Sequence, residues 1–139
     1  MSSSCPFFPV HTGSKAARIA GMKCVQLPAT LRPDGSLGLE AADVRAQMVK
    51  DLAAGLKPCA IQLNHGTTGT SSYDPVGDYE SLARDYPDLW IHVDGAYAGS
   101  SWILPEFQHH AKNVEKVATS FNFNGSKVRR RGEETRFYM

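Results

Sequence analysis

Three polar segments of this sequence carry side chains that could do chemistry, and each follows a short apolar run. Asp94 follows the strand-like run IHV at 91–93, the Gly/Thr/Ser-rich segment 65–72 follows an apolar run that ends at Leu63, and Lys127 closes the third segment. A desolvated lysine amine can lose its proton and form an imine with an aldehyde, which arginine cannot do at ordinary pH. A carboxylate at a strand end can bind a metal ion, orient a base or pair with a cationic heterocycle. A loop of small polar residues can offer N–H groups and hydroxyls to a phosphate.

Each segment also has an ordinary structural interpretation. Asp94 could cap a helix, segment 65–72 could be a surface turn, and Lys127 stands close to three arginines at 129–131, a pattern typical of a solvated basic cluster. Segment 65–72 lacks the lysine of a Walker loop, and the chain contains no G-x-G-x-x-G. His92 and Asp94 alternate and so face the same side of a strand. No third ligand accompanies them at a suitable spacing, so we predict no metal site.

Apolar periodicity predicts the elements that position these segments. The strongest helix signal is the four-residue recurrence of Val44, Met48 and Leu52 before Gly55. The predicted helices span 39–54 and 76–86, with a helix-like stretch after His11, and the predicted strands span 22–27, 59–63, 89–93 and 117–121, with a loop at 30–38. Strands that alternate with helices favour parallel pairing through right-handed crossovers. We therefore expect a mostly parallel α/β sheet whose carboxyl edge, where ligands bind in such sheets, carries the three polar segments.

Composition narrows the class of protein further. The chain has 139 residues, 42% of them apolar, and a net charge of +1, which suits one compact domain and gives no field for nucleic acid or an acidic membrane. It has no apolar run of about 20 residues to span a bilayer, and its N-terminus is a poor secretory signal. Cys5, Cys24 and Cys59 form no Cys-x-x-Cys pair. We expect a cytoplasmic protein with neither nucleic-acid nor membrane partners.

Several segments in register resemble the pyridoxal-phosphate-dependent (group II) amino-acid decarboxylases of the aromatic-L-amino-acid decarboxylase family. They read KAARIAGMKC (15–24), KDLAAGLKP (50–58), GTTGTSSYDP (66–75), IHVDGAYAGS (91–100), WILPEF (102–107) and SFNFNGSK (120–127). The resemblance implies an α/β fold, part of the aminotransferase-like large domain of fold type I, with a mostly parallel sheet and flanking helices. It implies that residues 11–127 are the middle of the domain that binds pyridoxal phosphate, between divergent ends at 1–10 and 128–139.

The resemblance also implies roles for individual residues. Lys127 stands where the family forms the Schiff base with the aldehyde of pyridoxal 5'-phosphate, and Asp94 where an aspartate pairs with the protonated pyridine nitrogen. That pairing keeps the ring cationic, so that it accepts the electrons left when carbon dioxide departs. The remaining positions match cofactor contacts: Ala96 against the ring, Thr68, Asn124 near the phosphate, and His11 stacked on the ring face.

The function that follows from the resemblance is decarboxylation of an aromatic L-amino acid to an amine and carbon dioxide, in a family whose full-length members are homodimers. Three alternatives stay open: a decarboxylase of the same fold that acts on glutamate or histidine, an aldehyde-forming relative, and an inactive remnant. The family reads Asn-Pro-His-Lys-Trp where this chain reads NGSKV at 124–128. Because the family's phosphate-gripping loop and C-terminal domain have no counterpart here, we expect a truncated chain with weak activity or none.

Overall fold

The computed structural model of the chain describes residues 11–33, 35–125 and 127, without the side chains of His11 and Thr12. Its strands form two sheets. A small antiparallel hairpin pairs β1 (Thr30–Leu31) with β2 (Leu37–Gly38), and a parallel three-stranded sheet contains β3 (Ala60–Asn64), β4 (Trp90–Gly95) and β5 (Ser120–Phe123) in that spatial order. The mixed α/β class and the parallel pairing predicted from the sequence are confirmed.

Helical segments precede the parallel sheet and connect its strands. The α-helices are α1 (His11–Ile19), α2 (Ala41–Ala53), α3 (Glu80–Asp85) and α4 (Val114–Val117). Three 3-10 segments accompany them: Val76–Tyr79 directly before α3, and Gly99–Ile103 and Pro105–Ala111 between β4 and α4. Each crossover between parallel strands therefore contains helical structure, as this pairing requires.

The two faces of the parallel sheet differ in chemistry because side chains alternate along each strand. One face is apolar: Leu63, Ile91 and Val93 are buried there and pack with residues of the helices, among them Val44, Met48, Tyr79, Leu82 and Val117. The opposite face is polar and carries Gln62, Asn64, His92, Asp94, Ser120 and Asn122. The hydrophobic core therefore lies against one face of the sheet, and the side chain of Asp94 lies on the opposite face.

Several sequence-based boundaries are corrected by the structure. Residues 22–26 are exposed and Leu27 is half-buried, and none of them forms a strand, because none pairs in a hydrogen-bonded ladder with a described strand. The predicted loop 30–38 contains the β1–β2 hairpin, which turns at Gly35 with a φ of 81°. The predicted helix 76–86 is a 3-10 turn followed by α3, and the predicted strand 117–121 begins only at Ser120, since Val117 closes α4.

A buried carboxylate ties the hairpin region to the parallel sheet. Asp74 Oδ1 accepts the Leu39 N–H at 2.7 Å and Oδ2 accepts the Asn64 N–H at 2.6 Å. Burial raises the pKa of Asp74, while the two N–H donors and the Arg32 charge act in the opposite direction. The side chain therefore pins the end of β3, just before the 65–72 loop.

Removal of this carboxylate is expected to destabilise the fold strongly. In Asp74→Ala the Leu39 and Asn64 N–H groups lose their acceptors, and we expect the free energy of unfolding to fall by about 2–4 kcal/mol. Asp78→Ala is the matched control, because Asp78 is exposed and lies only four residues away. Urea unfolding followed by circular dichroism measures both variants. If the two variants lost equal amounts of unfolding free energy, the proposed role of the Asp74 carboxylate in linking Leu39 to Asn64 would be contradicted.

Candidate functional site

The carboxyl ends of the three parallel strands lie side by side, and a turn or loop follows each of them. In the sheet register Asn64 pairs with Asp94, and Asp94 pairs with Asn122. The 65–72 loop follows β3, the turn of residues 96–98 follows β4, and the segment that ends at Lys127 follows β5. The edge predicted from the sequence is therefore present in the structure.

The Asp94 carboxylate is held at this edge by neutral donors. Oδ1 accepts the Ala96 N–H at 3.1 Å, and Oδ2 accepts an N–H from the Gln62 side chain at 3.4 Å. Asp94 is half-buried, and the ion pairs among the described residues do not include it. Each carboxylate oxygen keeps a lone pair, because an ionised carboxylate has about four acceptor positions. This donor set suits a ligand that brings its own cationic N–H, as a protonated pyridine does.

Small residues keep the backbone around Asp94 closely packed. A Cβ on Gly95 would lie 2.5 Å from Phe121 Cε2 and 2.9 Å from the Asn122 carbonyl oxygen, so only glycine fits. The Gly95 N–H donates to Asn122 Oδ1 at 3.0 Å and joins the ends of β4 and β5. Ala96 follows, half-buried, with a single methyl group beside the carboxylate. The end of β4 can therefore approach a flat ligand closely.

Hydrogen bonds on the same polar face order the side chains behind Asp94. Ser120 Oγ lies 2.8 Å from His92 Nδ1 and accepts the Trp90 indole N–H at 2.9 Å. The prediction that the side chains of His92 and Asp94 lie on the same face of the sheet is confirmed. Among the described residues no group of three His, Cys, Asp or Glu side chains is arranged to hold a metal ion.

The 65–72 loop is closed by its own hydrogen bonds. Thr67 Oγ1 and Thr70 Oγ1 are 2.7 Å apart, the Thr70 and Ser72 hydroxyls are also bonded, and the Ser72 N–H donates to Thr67 Oγ1 at 3.1 Å. The Gly66 N–H donates to the Ser72 carbonyl at 2.9 Å. Thr68 lies exposed in the turn that this network shapes. These hydrogen bonds therefore hold the backbone of the loop around Thr68 in one conformation.

Gly66 is required at the start of this loop for two separate reasons. Its φ is 78°, and a Cβ there would overlap the Ala98 Cβ after β4. Gly55 has a φ of 77°, but no described residue lies within 4 Å of its Cβ position. We expect Gly55→Ala to cost about 1 kcal/mol of unfolding free energy from the backbone alone, and Gly66→Ala about 2–4 kcal/mol, because overpacking adds to it. Thermal unfolding of both variants measures the difference, and equal costs would contradict the close contact with Ala98.

The remaining predicted site residues lie at the two ends of the described chain. Lys127 is exposed, and its backbone N–H donates to the Asn124 carbonyl at 3.1 Å, so a short turn joins the two beyond β5. Ser126 and residues 128–139 lie outside the described residues. His11 opens α1, as the helix-like pattern predicted, but its side chain lies outside the described residues too. The structure brings Asp94 together with Ala96 and Lys127 with Asn124, on adjacent strand ends.

Two residues of this edge were missed in the sequence analysis. Gln62 lies on the same face as Asn64, which pairs with Asp94, and its side chain therefore reaches the Asp94 carboxylate. Strand periodicity alone could have revealed this orientation. His65 is 2% exposed and lies among aromatic rings, and burial lowers its pKa to about 4, with the charge of His110 adding to the effect. No local pattern signals the burial of His65, since the rings around it come from distant segments. His110 is half-buried and stacks against Tyr73.

The family of the chain is shown by comparison with known proteins. The family model for the pyridoxal-dependent decarboxylase conserved domain matches residues 10–130, which is most of the sequence. The chain belongs to the pyridoxal-dependent decarboxylase family. The resemblance read from the motifs around Asp94 and Lys127 is confirmed, and pyridoxal phosphate is the cofactor of this family.

Individual relatives make the similarity more specific. The chain is 40% identical over 114 residues to tyrosine/DOPA decarboxylase 2 of Papaver somniferum, which covers 81% of this chain and 21% of that protein. It is 40% identical over 116 residues to phenylacetaldehyde synthase of Petunia hybrida, with 81% and 22% covered. The crystal structure of Oryza sativa TDC with PLP and tryptamine superimposes with a TM-score of 0.68 at 39% identity over 77% of this chain and 22% of that chain. This sequence thus spans about a fifth of the length of these relatives.

In the described residues no helix is both long and apolar enough to cross a membrane.

Proposed function

We propose that the carboxyl edge of the parallel sheet binds pyridoxal 5'-phosphate and takes part in the decarboxylation of an aromatic L-amino acid. The observation that carries the proposal is the Asp94 carboxylate. It is fixed by two neutral donors at the end of the central strand, on the edge that also leads to Lys127. A carboxylate with free lone pairs and no cationic partner among the described residues is suited to the ring N–H of a protonated pyridine.

The residues of this chain would divide the work of holding the cofactor. The Asp94 carboxylate would accept a hydrogen bond from the pyridine N–H. It would keep the pyridine nitrogen protonated, because an ionised partner favours the charged form of a nearby base. Ala96 would leave room for the ring. The exposed Thr68 hydroxyl and the Asn124 amide would donate to cofactor oxygens, and Lys127 Nζ would attach the cofactor covalently.

When bound, the cofactor supplies the electron sink that allows the carboxylate of an amino acid to leave as carbon dioxide. The chain contributes position and charge: the Asp94 carboxylate holds the ring proton, and the 65–72 loop keeps Thr68 in place. His11 remains a proposed stacking residue on the strength of the resemblance alone. The assignments of Thr68, Asp94 and Lys127 are supported by the placement of the ends of β3, β4 and β5 at one edge.

Aromatic amino acids are the proposed substrates because of the relatives' names. The Papaver somniferum relative is a tyrosine/DOPA decarboxylase, and the Oryza sativa structure holds tryptamine. The Petunia hybrida relative is a phenylacetaldehyde synthase, which makes aldehyde formation the second candidate. The homodimer expected for full-length members also stays a proposal here, since the chain spans about a fifth of these relatives' length.

The experiment is a product assay on the purified chain with pyridoxal phosphate. L-Tyrosine, L-DOPA and L-tryptophan are compared with L-glutamate and L-histidine, and carbon dioxide, amine and aldehyde are each quantified. We expect cofactor binding with slow or no turnover, and any turnover confined to the aromatic substrates. Preferential release of carbon dioxide from glutamate or histidine would overturn the substrate class. Failure of the chain to bind the cofactor at all would overturn the proposed function.

A further inference from the structure

His65 is a buried histidine whose surroundings are almost entirely aromatic. Its ring lies edge-on to Tyr73 and Trp102, with centroid distances of 4.7 and 4.6 Å, and 5.9 Å from His110. Within the described part of the chain neither ring nitrogen has a hydrogen-bond partner. A buried polar atom without a partner is costly, and a charge at the same place costs far more.

The backbone of His65 also attaches the 65–72 loop to the rest of the fold. The His65 N–H donates to the Asp94 carbonyl at 2.8 Å, and His65 forms an antiparallel bridge with Tyr73 at the far end of the loop. Tyr73 in turn stacks on His110 at 4.3 Å. The His65 side chain therefore joins both ends of the loop to the two 3-10 segments that carry Trp102 and His110.

Among the residues that the structure describes, the groups that face His65 provide no anion to balance a proton on it. The Tyr73 hydroxyl is held neutral, because burial and then the charge of Tyr97 raise its pKa. His110 is a second base, with His109 tilted against it at 3.9 Å. The nearest carboxylate along the chain, Asp74, points to backbone N–H groups instead.

The other charged and polar groups around the His65 ring also provide no counter-charge for a proton on it. Arg32 donates to the Tyr73 carbonyl at 3.3 Å, and its charge is paired with the Glu40 carboxylate at 2.8 Å, so this ion pair adds no net charge beside the cluster. From β4 only the Asp94 backbone carbonyl is bonded to His65, because its carboxylate lies on the opposite face of the sheet. The Ser100 hydroxyl and the Trp102 indole N–H, on the 3-10 segment after β4, are also buried without a partner among the described residues.

We infer that His65 is a positioning residue that holds the 65–72 loop, and with it Thr68, at the cofactor edge only while its imidazole is neutral. Protonation would place a cation among three aromatic neighbours, with no anion among the described residues to receive it, and the loop would separate from the Trp102 and His110 side. The inference rests on the proposed function only for what Thr68 contacts. The conformational step belongs to the chain itself and needs no cofactor.

The pH window follows from the lowered pKa of His65, about 4 in the docked loop against 6.5 in water. The contribution of the neutral imidazole is fully present above pH 6.5 and is lost as the pH falls toward 4. Between these values the undocked population is expected to rise about tenfold for each pH unit, because undocking is linked to the uptake of one proton.

The test is amide hydrogen exchange by NMR on the chain without cofactor, from pH 7 to pH 4.5. Protection of the Gly66, Thr67 and Ser71 amides, which bond within the loop, is compared with that of Val93 in the core strand. We expect loop protection, corrected for intrinsic rates, to fall about tenfold per pH unit below 6.5, while Val93 changes less. In His65→Leu, which fills the apolar site without a titrating group, the fall should disappear.

Two further variants keep the result decisive. His65→Gln removes the titration while retaining a polar side chain, and serves if the leucine variant does not fold. His109→Gln removes an exposed imidazole of the same cluster and should leave the pH dependence intact. A pH-dependent loss of loop protection that persists in both His65 variants would overturn the inference, as would a wild-type loop that stays protected to pH 4.5. Neither result depends on whether pyridoxal phosphate binds.

Discussion

Lys127→Ala is expected to release pyridoxal phosphate on dialysis, whereas the wild-type chain retains it. The reason is chemical: among the groups proposed for the edge only the lysine amine can form a covalent bond with the cofactor aldehyde. The other proposed contacts are individual hydrogen bonds, each worth about 0.5–3 kcal/mol. The expected result is complete loss of the absorbance band of protein-bound cofactor after dialysis, with no change in far-UV circular dichroism.

Lys112→Ala is the matched control for this loss. Lys112 is an exposed lysine at the end of the 3-10 segment Pro105–Ala111, and it is not among the residues proposed to contact the cofactor. Its removal should leave retention of the cofactor unchanged. Lys127→Arg adds a second control, since it keeps the charge but cannot bond covalently. Retention of the cofactor by Lys127→Ala at the wild-type level would assign the attachment to another residue.

Asp94→Asn is expected to weaken cofactor binding about 10- to 100-fold, which corresponds to a charged hydrogen bond of about 1.5–3 kcal/mol. The substitution keeps the shape of the side chain and lets one oxygen still accept the Ala96 N–H. It removes the negative charge that holds a proton on the pyridine nitrogen. Equilibrium titration with pyridoxal phosphate, followed by absorbance, gives the dissociation constants of the wild type and the variant.

Asp78→Asn controls for the general effect of removing a negative charge. Asp78 is exposed in the 3-10 segment Val76–Tyr79, so its variant should bind the cofactor as the wild type does. Asp94→Glu tests geometry separately, because it retains the charge but moves it by one methylene group. An Asp94→Asn variant with wild-type affinity would show that the carboxylate does not contact the cofactor, although Lys127 could still attach it.

The sequence predicted the sheet edge well because that prediction depends on local signals. Short apolar runs before Asp94 and before residue 65 mark two strands, and helical segments between them leave parallel pairing as the simple solution. Once the strands are parallel, their carboxyl ends share one edge without further information. The contacts around Asp94 within one strand or turn, such as the Ala96 N–H, follow from the same local order.

The features that were missed depend on contacts between distant segments. Residues 22–27 have the composition of a strand, but a strand exists only where another strand pairs with it. Asp74 bonds to Leu39, 35 positions away, and no local pattern announces that bond. His65 is buried by Trp102 and His110, which follow it by several tens of positions. Its burial, and hence its lowered pKa, could be recognised only in the folded chain.

The exposed apolar side chains bear on how the isolated chain will behave. Trp90 on the sheet, Ile103 in a 3-10 segment and Phe123 at the end of β5 are each more than half exposed. Strand edges with apolar side chains promote association between chains. Cofactor experiments are therefore best run at low protein concentration, with light scattering as a check, so that aggregation is not taken for loss of binding.

Peptide mapping after reduction tests the central claim most directly. The wild-type chain is incubated with stoichiometric pyridoxal phosphate, reduced with borohydride and digested, and the modified peptide is identified by mass spectrometry. If the carboxyl edge is a pyridoxal phosphate site, a single modification is expected on Lys127. Label spread over exposed lysines such as Lys57, Lys112 and Lys116, or no label at all, would contradict the account and favour a remnant that no longer binds the cofactor.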